Sequence, residues 1–163
     1  NYVRPYTYSH HNPEQNYAHY NQPLAHPLGA NFSEVLFMAQ YKWKRFEIDA
    51  RVMRAKYGGD FNGDTISYGS NLYLSTGSYA QEHGLVGMGS GRPSDFGIEM
   101  YQGNLTKIDY RSLNLSYIIN PYTNLKINLG LTFRNSYNDD DEVKTQFINF
   151  GIMSDLFNHY YDI

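Results

Sequence analysis

The chain has 163 residues, a formal net charge of −3 and no cysteine. The lack of cysteine excludes a disulfide framework and a thiolate metal site, and the lack of a basic excess argues against a nucleic-acid partner. Aromatic residues make up 17% of the chain and charged residues only 18%, whereas soluble domains carry about 25% charged residues. This composition favours a membrane β-barrel with an apolar belt and a polar interior.

Six β-strands are predicted from the hydrophobic pattern. They are expected at about residues 1–9, 32–43, 46–57, 105–119, 125–135 and 144–157. In the fifth strand, apolar residues occupy every odd position from Leu125 to Phe133, and polar residues or glycine occupy the even ones. Such a strand presents one face to an apolar medium and the other to a polar medium. Its length suits a tilted strand that crosses a bilayer, which takes roughly 9–11 residues.

The connections between these strands alternate in length. Short turns are predicted at 42–45 and 120–124, and longer polar loops at 10–31, 58–104 and 136–142. The prolines of the first loop exclude a regular helix or a central strand, and short strand pieces are predicted near 66–74 and 96–101. Short turns on one side and long extracellular loops on the other are typical of an outer-membrane barrel.

The two faces of the strands predict two sets of residues. An aromatic girdle at the membrane interface is expected on the short-turn side, made of Trp43, Tyr122, Phe157, Tyr160 and Tyr161. A polar network facing the lumen is expected from Glu47, Asp49, Arg51, Lys126 and Arg134. That network either fills and stabilises the barrel or lines a conducting channel.

Six strands are too few for a closed barrel of one chain, because the smallest such barrels have eight and a bilayer does not tolerate unpaired strand edges. Two further strands could lie within 58–104. The preferred interpretation is that residues 1–163 are the C-terminal part of one larger barrel domain, an all-β, antiparallel transmembrane fold.

Several segments carry a resemblance beyond this architecture. They are Val3–His10, Asn16–Asn31, Tyr57–Asp60, Gly69–Tyr73, Ile119–Leu125 and Asn158–Asp162. Together they resemble the C-terminal part of Bacteroidetes outer-membrane proteins of the capsule-assembly Wzi-like group, which includes gliding-motility RemB-like proteins. A departure is the final Ile163, since barrels of this kind usually end in an aromatic residue.

The resemblance implies a non-catalytic protein, without a cofactor, in the cell outer membrane of a Gram-negative bacterium of the Bacteroidetes. It implies either attachment of surface (capsular) polysaccharide or a structural role in a gliding or type 9 secretion complex. Its partners would be outer-membrane lipid and lipopolysaccharide, capsular polysaccharide, and other outer-membrane proteins of such a complex. A porin-like conduit and a soluble β-sandwich lectin are the alternatives.

The loop 10–31 is the predicted polysaccharide site. Aromatic rings stack on sugar faces, and amides and imidazoles form hydrogen bonds with hydroxyls. The residues expected to do so are Tyr17, His19, Tyr20, Asn21, Gln22 and His26. The alternative is a self-packed loop that plugs the lumen.

No metal site and no catalytic residue are predicted. The histidines at positions 10, 11, 19 and 26 match no zinc template. Asp60–Asp64 begins like a calcium loop, but its glycine is misplaced and the closing glutamate is missing, which favours a plain turn. Asp139–Glu142 is interpreted as a solvated loop, with weak binding of calcium or of a lipopolysaccharide-bridging cation as the alternative. Ser9 and His10 are adjacent on a predicted strand, so they point to opposite faces and cannot form a catalytic pair.

Overall fold

In the computed structural model, the described residues are 1–10, 15–20, 22–63, 67–73 and 97–154. These residues contain β-strands and no α-helix, so the all-β prediction is confirmed for them. Consistently, this part of the chain offers no helix with the length and apolarity needed to cross a membrane.

Eight strands are present in the described residues: β1 Tyr2–Val3, β2 Ala18–His19, β3 Gln22–Pro23, β4 Phe32–Trp43, β5 Phe46–Gly59, β6 Asn104–Asn120, β7 Leu125–Tyr137 and β8 Glu142–Met153. Six of them form one sheet in the order β1-β4-β5-β6-β7-β8, and β2 pairs with β3 in a small hairpin. The large sheet has β1 and β8 at its edges, so the strands described here form an open sheet and not a closed barrel.

Five of the six predicted strands are confirmed with small changes in length, and β4 has the predicted ends. The prediction for residues 1–9 is wrong beyond Val3. Pro5 has no backbone N–H for a ladder, Tyr6 adopts a left-handed conformation with φ of 60°, and the Tyr6 backbone N donates to Gly69 O at 3.0 Å. The first segment therefore leaves the sheet and packs against a loop.

The long loops differ from the prediction in three places. The strand pieces expected near 66–74 and 96–101 are not strands in their described parts, 67–73 and 97–101. The acidic loop is shorter than 136–142, because β7 continues to Tyr137 and β8 begins at Glu142. The loop 10–31 contains the hairpin β2–β3, which was not predicted because the prolines of this loop argued against regular strands. Residues 155–157, the predicted end of the sixth strand, lie outside the described residues.

Both short turns are confirmed. In each, one residue adopts a left-handed conformation: Lys44 with φ of 53° and Asn124 with φ of 49°. In the second turn, the Asn120 side-chain Oδ1 accepts a hydrogen bond from the Tyr122 backbone N at 3.0 Å, a local bond that favours turns.

The chain divides into two compact units. The first comprises Asn1–Val35, Arg54–Ile108 and Ser136–Glu142, and the second comprises Leu36–Met53, Asp109–Asn135 and Val143–Ile163. Within the first unit, the largest fully buried side chains of the described residues are Phe32, Leu72, Asn31 and Ser67. In the second unit, Ile118 is the buried hydrophobic residue of the described part, and most other apolar side chains are half-buried or exposed.

Gly130 lies where β7 has no room for a side chain. A Cβ atom at this position would contact the Asn149 Oδ1 and would lie 2.7 Å from the Asn114 Oδ1. We expect Gly130→Ala to lower the free energy of unfolding by about 1 kcal/mol, the low end for overpacking, because the two oxygens are the ends of partly exposed side chains that can shift. Denaturant titration measures the loss. Gly151→Ala is the matched control, because a Cβ there meets nothing within 4 Å. Equal effects of the two variants would contradict this account. Adding Asn149→Ala to Gly130→Ala should restore part of the lost stability, since the contact with Asn114 remains.

Candidate functional site

One surface of the second unit is apolar and exposed. It consists of alternate residues of five strands, here called the apolar face: Phe37, Tyr41, Trp43, Phe46, Ile48, Val52, Leu115, Tyr117, Ile119, Leu129, Phe133, Ile148, Phe150 and Ile152. Phe150 is 73% exposed. Residues from β4, β5, β6 and β7 on this face line one shallow concavity, which confirms that the strands align their apolar sides. Soluble monomers rarely expose a contiguous apolar patch of this extent.

The opposite surface of the second unit carries an ion-paired network. The Glu47 carboxylate accepts from Lys42 Nζ through Oε1 and from Lys126 Nζ through Oε2, both at 2.8 Å. Asp49 Oδ1 accepts from Gln40 Nε2 at 2.6 Å. The Lys42–Glu47 and Gln40–Asp49 pairs both join β4 to β5. Both pairs point to the same side of the sheet.

The predicted lumen network is therefore brought together in part. Glu47 and Lys126 are bonded, and Asp49 and Arg51 line the same cavity of about 140 Å³. Arg134 lines a different depression, together with residues of β6 and β8. Lys42 and Gln40 also belong to this polar network but were not predicted as members. Their alternation with the apolar residues of β4 and their position near a short turn were the available signals. The same side also carries exposed apolar residues of β4 and β8, so it is polar only in part: Leu36, Met38, Val143, Phe147 and Met153.

Aromatic residues cluster where the first short turn joins β4 and β5. The Trp43 and Phe46 rings stack with centroids 6.3 Å apart, and the Phe46 and Tyr117 rings lie 5.0 Å apart. The Lys44 Nζ lies 5.0 Å from the Trp43 ring centroid. In the second short turn, Tyr122 is 96% exposed. Trp43 is the last residue of β4, and Tyr122 lies in the turn between β6 and β7. Phe157, Tyr160 and Tyr161 lie outside the described residues, so the aromatic girdle stays a prediction.

The predicted sugar-binding loop folds into the hairpin β2–β3, with His19 paired to Gln22. Tyr20 is 89% exposed and contacts the His19 ring at a centroid distance of 4.3 Å. Tyr17 is also exposed and lies 5.8 Å from the Tyr8 ring. Asn21 is outside the described residues. The hairpin therefore presents aromatic rings to solvent and is not wholly self-packed.

His26 lies apart from this aromatic group. Its ring stacks on Phe32 at 4.4 Å, its Nε2 lies 3.4 Å from the Glu34 Oε2, and its Nδ1 accepts from the Leu28 backbone N. These contacts engage both ring nitrogens. The structure gives His26 a role in holding its own loop against β4.

Asn31 is a hydrogen-bonding centre that the sequence did not reveal. It is 0% exposed, and its Nδ2 donates to the backbone oxygens of Gly58, Tyr68 and Gln102 at 2.9, 3.2 and 2.9 Å. Its Oδ1 accepts from the Tyr101 backbone N at 2.7 Å. One side chain thereby ties three separate segments of the first unit together, and only long-range contacts could have indicated it.

The two acidic segments considered for cations lie at one polar cavity of the first unit. Asp60 and Asn62 line it from one segment, and Asn138, Asp140 and Asp141 from the other. Asp64 is outside the described residues. Among the residues that the structure describes, no group of three or more His, Asp or Glu side chains has an arrangement suited to a metal ion.

The described part of the chain offers an apolar face, a polar network, an exposed aromatic hairpin and an oxygen-rich cavity. Comparison with known proteins finds no matching family model, no matching curated protein and no matching solved structure.

Proposed function

We propose that this chain is part of a non-catalytic outer-membrane β-barrel that attaches surface polysaccharide through its loops. The observation that carries the membrane half of this proposal is the apolar face of the second unit. Five adjacent strands expose apolar residues at alternate positions, the pattern of strands whose outer face contacts lipid.

The opposite side and the strand ends support the same proposal. Charged and amide side chains on the other side are bonded to one another, as expected of residues facing a polar lumen. The aromatic cluster at Trp43, Phe46 and Tyr117 suits a membrane–water interface. In the second unit, β4 from Leu36 onward and β8 each have one unpaired edge. Since a bilayer does not tolerate such edges, the proposal requires further strands of a larger barrel to pair with them.

Heat-modifiability tests the membrane proposal. The membrane-extracted parent protein is run on a denaturing gel, boiled and unboiled. A faster unboiled band is the result expected of a closed barrel. No shift, combined with recovery of the protein in the soluble fraction, would contradict the proposal and favour a soluble β-sandwich lectin whose apolar faces pack together.

A porin-like conduit is the second candidate, favoured by the polar network around Glu47 and Asp49. Conductance in planar bilayers separates the two functions, because a barrel that is filled or plugged remains silent. Open-channel currents would favour the conduit.

The polysaccharide half of the proposal is supported by the exposed rings of Tyr17 and Tyr20. We expect the double variant Tyr17→Ala, Tyr20→Ala to bind the cell's own capsular polysaccharide about tenfold more weakly, because sugar faces stack on aromatic rings. The measurement is retention of labelled polysaccharide by the purified protein. Tyr122→Ala, at a short-turn tyrosine that is more exposed than either Tyr17 or Tyr20, is the control and should bind normally. If both variants bind like the wild type, the hairpin has no role in attachment.

A further inference from the structure

The shallow concavity of the apolar face, here called the groove, begins beside the first short turn. It has a volume of about 400 Å³, within the range of roughly 300–1,000 Å³ of small-molecule sites. The rings of Trp43, Phe46 and Tyr117 line its end near the turns, and Leu115 and Leu129 line the end farther along the strands. The groove therefore changes from aromatic to aliphatic with distance from the turns.

The walls of the groove carry no available charge. Among the residues that line it, Glu47 alone is charged. Its carboxylate is bonded to Lys42 and Lys126 at 2.8 Å and points to the opposite surface, because successive side chains of a strand alternate. The ligand that suits such walls is an apolar chain.

The depth of the groove matches one leaflet of a bilayer. Leu129 lies four positions after Leu125, the first residue of β7, and four residues of strand extend by at most about 13 Å. Half of the hydrocarbon core of a bilayer is about 15 Å. An acyl chain of the leaflet beside the short turns would therefore lie along the groove for most of its length.

Two cations lie at the turn end of the groove. The Lys44 Nζ lies 5.0 Å from the centroid of the Trp43 ring, and the Arg45 Nη1 donates to the Ile119 backbone O at 3.4 Å. Both side chains are exposed, and both contacts are with neutral groups. Among the described residues, no aspartate or glutamate forms an ion pair with either cation. Since ammonium and guanidinium groups have several N–H donors, both cations retain donors for an anion.

We propose that the groove and these two cations form one binding site for an anionic phospholipid. An acyl chain lies in the groove, and the phosphate of the headgroup lies at Lys44 and Arg45. Charge complementarity selects this occupant, because an anionic phospholipid joins an apolar chain to a negative group at one end. The short turns of an outer-membrane barrel lie on the periplasmic side, where the leaflet consists of phospholipid, whereas lipopolysaccharide lies in the outer leaflet. This inference rests on the membrane half of the proposed function and names the lipid class and the residues that select it.

Quenching of Trp43 fluorescence by brominated lipids tests the inference, since bromine quenches tryptophan only at short range. Trp43 is the one tryptophan of the sequence, and subtraction of the emission of Trp43→Phe isolates its signal in the parent protein. The protein is inserted into phosphatidylcholine vesicles that contain equal fractions of brominated phosphatidylglycerol or brominated phosphatidylcholine. We expect phosphatidylglycerol to bind beside Trp43 at least about fivefold more tightly, because each cation near a membrane surface favours an anionic lipid about fivefold.

Charge variants identify the selecting residues. Lys44→Gln with Arg45→Gln should reduce the preference to less than about twofold, while resistance to extraction by urea shows that the protein is still inserted. Lys107→Gln with Arg111→Gln is the matched control, because it removes two cations nearer the start of β6, one of them also 5.0–5.4 Å class contact of a lysine with a ring, Lys107 at 5.4 Å from the Tyr137 centroid. The control should keep the wild-type preference. Lys44→Arg with Arg45→Lys retains both charges and should keep it too.

The outcomes separate this inference from the membrane proposal. Equal quenching by the two brominated lipids, the same loss in both glutamine variants, or loss of the preference in the charge-retaining variant would each overturn the inference. Displacement of phosphatidylglycerol by inorganic phosphate, beyond that by sodium chloride of equal ionic strength, would indicate a plain anion site and also overturn it. If the inserted protein is quenched by neither lipid, protein such as a second copy covers the groove, so the inference fails and the membrane function stands. If the protein does not insert, the membrane function itself fails.

Discussion

Replacement of Asn31 by alanine is expected to lower the free energy of unfolding by about 3–5 kcal/mol, the largest effect of any single side chain in the first unit. The variant leaves the Tyr101 backbone N and the carbonyl oxygens of Gly58 and Gln102 without their side-chain partner in a buried site. It also places alanine in a left-handed conformation, since φ at Asn31 is 56°, a conformation that asparagine tolerates better. Denaturant titration monitored by near-ultraviolet circular dichroism measures the loss.

Two further variants separate the causes. Asn31→Gly removes the side chain but accepts the positive φ, so it should be destabilised less than the alanine variant. Asn31→Asp has nearly the same shape but puts an acceptor against the carbonyl oxygens of Gly58, Tyr68 and Gln102, so it should be at least as damaging as alanine. Asn62→Ala, at an exposed position, is the control and should change stability by less than about 0.5 kcal/mol. A small effect of Asn31→Ala would show that the hydrogen bonds are replaced by water.

An arginine on the apolar face is the second large perturbation. Leu129→Arg is expected to impair insertion into lipid vesicles by about 2–4 kcal/mol, the cost of a cation on the lipid face of a barrel near the bilayer midplane. Asn128→Arg is the control, because the neighbouring residue points to the polar side, where it contacts Ser116. The measurement is the fraction of protein that resists extraction from vesicles by urea.

The comparison of these two positions decides between membrane and soluble interpretations. If both arginine variants insert equally well, the face carrying Leu129 does not contact lipid. If the wild type fails to associate with vesicles and Leu129→Arg aggregates in solution, the face is packed against other protein surface instead.

The strands were predictable from the sequence because the residues that determine them lie close together in the chain. Alternation from Leu125 to Phe133 fixes which side of β7 is apolar, and the turn residues around Lys44 and Asn124 fix where the neighbouring strands begin. Parity also placed Glu47 and Lys126 on the polar side, although the ion pair between them was not predicted. Such features depend on residues that are close in sequence or that share a period of two.

The hydrogen bonds of Asn31 and the polar cavity of the first unit could not be predicted, because both depend on contacts between segments that are distant in the sequence. Asn31 bonds to residues 27, 37 and 71 positions away, and no local pattern marks it. The polar cavity of the first unit lies between Asp60 and the loop Asn138–Asp141, whereas the pattern of each segment alone predicts a turn or a solvated loop. The first strand was predicted too long, because the Tyr6 backbone N donates to Gly69 O and the chain leaves the sheet after Val3.

The order of strands has a consequence for how the sheet assembles. Every strand of β4–β8 pairs with its neighbour in sequence, and the hairpins β4–β5 and β6–β7 close over short turns, an event of about 1–10 μs in isolated hairpins. Joining β5 to β6 instead requires the closure of the long connection from Gly59 to Asn104, and the entropic cost of closure grows with loop length. The strands β7 and β8 are also joined by a short connection, residues 138–141. The hairpin β4–β5 and the meander β6–β7–β8 are therefore expected to form first, and the pairing of β5 with β6 is expected to be the slower step.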